Sequence, residues 1–406
     1  MATEREAAAV PPDAGAAGTV GADRGQSVDE LALFRETLRD ALTALSPSAE
    51  VRRLMATESG WDRHTWRRLC GELGLAGLAV PEAYGGSGFS AVELGVAFEE
   101  AGRTLLCAPL LSVAGLAVPL LLALADEAAC KTYLPGLCDG SLTATVATAD
   151  AAGRSLAGGG ELVRAEPARG QVLLSGTADF VVDGATADLI FVPAATATGL
   201  GVYAVRADAP GLVVTPLVTL DPTRKQARLT FGDVTGTPVG PPDARRAVRQ
   251  ALDVANALLA AEQAGVAARC LELAVEHART RVQFGRPIGS FQAVKQKTAD
   301  MLIRVESARS AAMAATEAAA RLTGAGKLLA TLTDLPGLAV TAAAARAYCS
   351  PACVAVAADT IQLHGGLGFT WEHDAHLYFK RAWTSAELLG GPEEQIEAVA
   401  RHLQEQ

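Results

Sequence analysis

The spacing of hydrophobic residues changes twice along this chain, and that double change restricts the fold more than any single motif. From Val28 to roughly Leu142 apolar residues recur every three or four positions, as in "VDELALFRETLRDALTAL", the pattern of helices with one buried face. Within it, Ser90 followed by Glu93 predicts a capped helix start. From about Thr143 to Pro241 short β-branched runs take over, such as "GVYAVRA" and "ARLTFGDVTGTPVG", separated by Gly, Asp and Pro. From Pro242 onward long alanine-rich helices return. The chain reads as α+β: an N-terminal helical domain over 29–142, a middle β domain of antiparallel strands or a small barrel over 143–241, and a helical region over 242–406. Residues 1–28 are rich in Ala, Gly, Pro and Asp, lack the apolar core of a signal peptide, and read as a disordered tail.

Composition narrows the function. A chain of 406 residues buries a substantial core, and a net charge of −10 argues against non-specific nucleic-acid binding, which needs clustered cations. The 7 cysteines are odd in number and show no CxxC spacing; Cys349 and Cys353, one helical turn apart, read as small packing residues in a cytoplasmic protein with reduced thiols. The uncharged run Leu105–Ala125 is about long enough to span a bilayer, but it carries Pro109 and Pro119 and reads as buried helix, with no membrane partner.

The stretch "RTRVQFGRPIGSFQAVKQKTADML", Arg279 to Leu302, breaks a helical region with two glycines, a proline and flanking cations. Such a break suits an anionic, flat ligand. A second interruption, "IQLHGGLGFTWEHDAHLYFKRA", runs from Ile361 to Ala382. With "LGLAGLAVPEAYGGSG" (Leu73 to Gly88) and the α-β-α order, these stretches resemble the acyl-CoA dehydrogenase family over essentially everything after the tail.

The resemblance implies a C-terminal four-helix bundle and FAD bound at a subunit interface in an oligomer, homo- or hetero-tetrameric as a dimer of dimers. Arg281 offers a multi-donor fork to phosphate oxygens, Gly285 and Gly289 permit close backbone approach, Phe284 supplies an apolar surface, and Gln292 a donor-acceptor for the adenine side. Gln362 with Gly365, Gly366 and Gly368 would cradle the pyrophosphate of a neighbouring subunit's cofactor. On the flavin side the matching residues are Thr148, Phe180 and Val182. Phe180 can stack on the ring, whereas Val182 lacks the hydroxyl that the family turns to flavin N5.

The family's reaction needs a carboxylate to remove the α-proton of an acyl thioester. Both usual positions lack one, being Leu389 and Ala255, with Asn256 where an arginine is common. Glu387 is the preferred replacement; Glu262, Asp253, Glu393 and Glu394 are further carboxylates nearby. His373, Asp374 and His376 invite a metal reading, but no complementary cluster accompanies them, and no metal is expected. The resemblance thus implies a FAD-dependent oxidoreductase acting on an acyl-CoA or acyl-carrier-protein substrate with a displaced or partner-supplied base, passing electrons to an electron-transfer flavoprotein. The alternatives are a non-catalytic or half-site subunit of a hetero-oligomeric dehydrogenase and a flavin-dependent tailoring enzyme on the same scaffold.

Overall fold

The computed structural model describes residues 19–156, 163–168, 170–323 and 336–404. The first helix, α1 (Thr19–Leu45), starts well before Val28, so residues 19–28 are helical rather than part of a disordered tail, and residues 1–18 lie outside the described residues. Helices α2 (Ser48–Met55), α3 (Arg63–Leu73) and α4 (Ala91–Arg103) follow. The start of α4 carries the expected capping box: the Ser90 hydroxyl accepts from the Val92 N–H, and Glu93 accepts from the Ser90 N–H at 2.9 Å. The run from Leu105 to Ala125 forms a π-helical turn (Leu111–Ala117) leading into α5 (Val118–Leu124), buried throughout both segments, and α6 (Glu127–Cys138) completes this region.

The middle sheet contains β1 (Ala144–Val146), β2 (Val163–Ala168), β3 (Gln171–Val182), β4 (Leu189–Thr196), β5 (Gly199–Arg206), β6 (Leu212–Pro216) and β7 (Gln226–Val239). Pairings β4–β2–β3–β7–β5–β4 close it on itself, with β6 against β7. Most pairs are antiparallel and the sheet closes into a small barrel, as expected; β1 and β2 both run parallel to β4. Strands β4 and β5 are apolar on both faces because two cores claim them. Ile190, Val192 and Val205 fill the barrel, while Leu189, Phe191 and Val202 join the core of the flanking helices.

The C-terminal region is built on α7 (Arg245–Thr280), α8 (Gln292–Thr323) and α9 (Pro336–His364), with α10 (Ala375–Glu387) and α11 (Pro392–Gln404) packed on α9. Helices α4 and α7 cross backbone to backbone: a Cβ on Gly265 would overlap the Glu99 carbonyl, and one on Gly102 the Glu262 carbonyl. This crossing fixes the height of Glu262 in the core between the sheet and α10. All 7 cysteines are buried free thiols.

Candidate functional site

Helix α7 ends at Thr280, and Arg281 turns extended (φ −72°, ψ 121°) while its N–H still bonds the His277 carbonyl at 2.9 Å. A two-residue hairpin follows, β8 (Val282–Gln283) and β9 (Arg286–Pro287). Its turn residues Phe284 (φ 53°) and Gly285 (φ 73°) are both left-handed, as the tightest hairpin turn demands. Phe284 is 90% exposed. It meets Phe291 edge-on at 6.1 Å, and the Arg286 guanidinium lies 4.2 Å over the Phe291 ring. Gln292, first in α8, is exposed, as is Arg281, which has no carboxylate partner among the described residues.

The second motif lies at the end of α9. Gln362, Gly365 and Gly366 are exposed, and Gly365 takes φ 62° to end the helix. A Cβ on Gly365 or Gly366 would meet nothing within 4 Å, whereas one on Gly368 would stand 2.7 Å from the Ile361 carbonyl. Gly368 therefore serves the chain's own packing, and Gly366 leaves the turn bare toward the outside. Phe369 (69% exposed) and Trp371 (61%) extend this open, apolar edge. An uncompensated guanidinium, an exposed phenyl ring and a bare glycine turn fit a dinucleotide shared with a second chain.

The flavin-side residues have a different setting. Phe180 stands at a bulge between β3 and β7, in left-handed conformation (φ 50°) and 43% exposed, its ring over Gly153. Thr148 and Val182 are buried. Thr148 borders a cavity of about 10 Å³ closed by Leu116, Leu120, Val146, Leu156, Pro193, Val248 and Leu252. Val182 belongs to the helical core, and its carbonyl accepts the Thr145 hydroxyl at 2.6 Å. A cavity of that size holds about one water, against the roughly 300–1,000 Å³ of an ordinary ligand site. The cavity at Thr148 has no room for a flavin ring, and the Val182 side chain is packed into the core.

Beside them lies a buried ionic cluster. Glu262 (3% exposed) pairs with Arg224 and, at 3.4 Å, with Arg381. Arg381 also binds Asp221 at 2.8 Å and the Thr223 hydroxyl at 2.5 Å, and Arg224 donates to the Ser385 hydroxyl at 3.0 Å. Burial pushes the Glu262 carboxyl up, but Arg224 and Arg381 overcome it and leave it below its ordinary range. Next to the cluster, the fully enclosed Asp183 accepts from the Ser112 hydroxyl at 2.6 Å, and burial raises its carboxyl to about 6. The cavity that Asp183, Arg224 and Arg381 share with Trp61 and Leu111 is about 10 Å³. A larger cavity of about 410 Å³, lined by Arg39, Glu100, Arg103, Arg269 and Tyr378, touches none of the expected cofactor or base residues, though Asp374 is on its wall.

Neither usual base position has altered its surroundings to admit a carboxylate. Ala255 is wholly buried, and Leu389 is 6% exposed. The segment at Leu389 is pinned: Arg346, itself enclosed and lowered to about 10 by burial, donates to the Leu388 carbonyl at 2.7 Å and to the Asn256 side chain at 3.1 Å. Glu387, the preferred replacement, is exposed against the Gly391 turn. It lies two residues past Ser385, roughly 200° around α10 from the face that meets Glu262. The geometry therefore turns Glu387 away from the core. Glu393 is exposed, and Glu394 and Asp253 are half-buried; burial raises the Asp253 carboxyl to about 7. Among the described residues no His, Cys, Asp or Glu group is arranged to hold a metal ion, and Asp374 instead bonds Arg52 at 2.6 Å. Sequence reasoning missed Arg224, Asp221 and Arg381. Their one visible signal was Glu262 interrupting the apolar run "ANALLAAEQAGVAA".

A helical domain, a closed β domain and a C-terminal helical bundle define an architecture shared with flavoenzymes. The chain belongs to the acyl-CoA dehydrogenase family: residues 28–141 match the family's N-terminal domain and residues 245–404 its C-terminal domain. Members of this family are FAD-dependent. The chain is 36% identical over 377 residues to "Acyl-CoA dehydrogenase IpdE2" of Mycobacterium tuberculosis, covering 93% of this chain and 98% of that protein. Among solved structures, it is similar to a chain of a single-substitution variant of the Tcur3481–Tcur3483 steroid ACAD (TM-score 0.81, 32% identity, 93% and 98% covered). It is also similar to a chain of the ChsE4–ChsE5 complex from Mycobacterium tuberculosis (TM-score 0.81, 28% identity, 93% and 97% covered).

Proposed function

We propose that this chain is the half-site subunit of a hetero-oligomeric, FAD-dependent acyl-CoA dehydrogenase. It lends Arg281, Phe284, Gln292, Gln362 and the Gly365–Gly366 turn to a cofactor whose flavin ring rests in a second, related chain. That chain holds the acyl thioester and supplies the carboxylate that takes the α-proton, and electrons then pass to an electron-transfer flavoprotein. The observation that carries this reading is the contrast between the two halves: the outward edge is bare and cationic, while Thr148 borders a cavity of only about 10 Å³ and Val182 is packed into the helical core, beside a buried ionic cluster. The paired names of ChsE4–ChsE5 and Tcur3481–Tcur3483 lend support, and the word steroid in the latter's name suggests a steroid-derived acyl thioester as the first substrate class to try. Seven buried free thiols are in keeping with a cytoplasmic setting.

The test is substitution in the flavin-loaded, co-expressed complex. Arg281→Ala is expected to release flavin. Glu387→Gln is expected to leave turnover within about two-fold, since removing a true general base costs roughly 10²-fold or more. A hundred-fold loss in Glu387→Gln would instead return the base to this chain.

A further inference from the structure

Four of the chain's 6 histidines gather directly behind the open edge. His277, one turn before Arg281 on α7, stacks on His364 with ring centres 4.2 Å apart and planes 29° from parallel. His364, the residue before Gly365, lies 4.2 Å from His373, which precedes α10. The column thus ties together the ends of α7 and α9 and the start of α10. Its rings border both motifs in sequence: His277 four residues before Arg281, His364 next to Gly365, and His373 seven residues after Gly366.

Two backbone contacts orient the column, and the one at His373 calls for a neutral ring. The Thr360 carbonyl can only accept, so His364 donates to it from Nδ1 at 2.7 Å. His373 does the reverse: its Nδ1 accepts the Ala375 N–H at 3.1 Å, capping the first turn of α10. Protonating that nitrogen replaces an acceptor with a donor facing a donor, and adds positive charge at the positive end of a helix. The surrounding groups do not help a charged ring. Arg281 from α7, Arg52 from α2 and Lys380 from α10 are cationic, and the one facing carboxylate, Asp374, is already bonded by Arg52. Burial, followed by neighbouring His364, lowers the basicity of both His277 and His373.

We propose that the His277–His364–His373 column is a positioning element that holds Arg281 and the Gly365–Gly366 turn at the spacing a dinucleotide needs, and that it does so only while His277 and His373 are neutral. This rests on the half-site reading, because the gripped group is the cofactor of the shared site. A base held neutral by the fold contributes stability that is fully present above its unfolded value, about pH 6.5, and is lost as pH falls below that. The grip on flavin should therefore weaken on mild acidification, in a range where Asp183 and Asp253 also titrate, so the Phe variants are needed to assign the loss to the column.

The experiment measures FAD dissociation from the flavin-loaded complex by released-flavin fluorescence between pH 7.5 and 5.5. Wild type, His373→Phe, His277→Phe and Arg281→Ala are compared, with circular dichroism to establish folding. Phenylalanine keeps a stacking ring without a titrating nitrogen. The expected result is a loss of FAD affinity of about ten-fold or more in wild type across this range, reduced to about three-fold or less in at least one folded Phe variant. A flat wild-type profile, or Phe variants that follow the wild-type profile, overturns the proposal. Arg281→Ala separates the two levels: flavin loss at pH 7.5 upholds the shared edge whatever the histidines do, whereas unchanged retention overturns the edge and the column together.

Discussion

Glu262→Gln is the substitution that reads the buried cluster most directly. The carboxylate lies between Arg224 and Arg381 at 3% exposure, and it is the anion common to both. Glutamine preserves volume and can still meet the Ser385 hydroxyl, but it leaves two guanidinium groups enclosed with Asp221 as the nearest remaining compensation. Removing one partner of a buried ion pair costs about 3–5 kcal/mol. With an unfolding entropy near 2.1 cal/mol/K per residue, that corresponds to a Tm lowered by about 4–6 °C if the chain unfolds as one unit. Differential scanning calorimetry at pH 7.5 is the assay. Pairing Glu262→Leu with Arg381→Met removes one charge of each sign and should cost less than the two single changes added together. If Glu262 instead lined an open catalytic cleft, glutamine would barely move Tm and would abolish turnover. A shift below about 1 °C refutes the view that this cluster is structural filling.

Gly366→Ala places a methyl in the bare turn without straining the fold, so Tm should hold while the complex's FAD affinity falls about ten-fold; equal flavin retention by fluorescence would count against the cradle. Asp183→Asn tests the enclosed carboxyl. Its value of about 6 in the fold against an ordinary value near 3.9 means that the neutral form's advantage is complete below the ordinary value and is lost as pH rises through 6. The asparagine variant should therefore be more stable by about 1–3 kcal/mol at pH 7.5, with the gain shrinking toward pH 4.5, as read by thermal melts at several pH values.

Much of the architecture was legible because local patterns encode it. The Ser90–Glu93 cap and the switch from helical to alternating periodicity lie in contiguous residues. The parallel pairing of β1 and β2 with β4 was not, since nothing in a short strand states which edge it joins. The helical start at Thr19 was missed because its Gly- and Asp-containing sequence carries no apolar period. At the site, the turns at Gly285 and Gly365 were readable because left-handed positions favour glycine, whereas the left-handed backbone at Phe284 carries no such mark. Arg224, Glu262 and Arg381 stand on the segment before β7, on α7 and on α10, and only the fold brings them together. The histidine column was hidden for the same reason, its rings coming from three separate helix ends.

The flavin content of purified protein tests the half-site claim most directly. On the half-site proposal, each pair of unlike chains shares a single site. Visible absorbance against protein mass should give one FAD for each heterodimer formed with a partner of the same family, and no retained FAD for this chain alone. One FAD per chain in a colour-bearing homo-oligomer would contradict it.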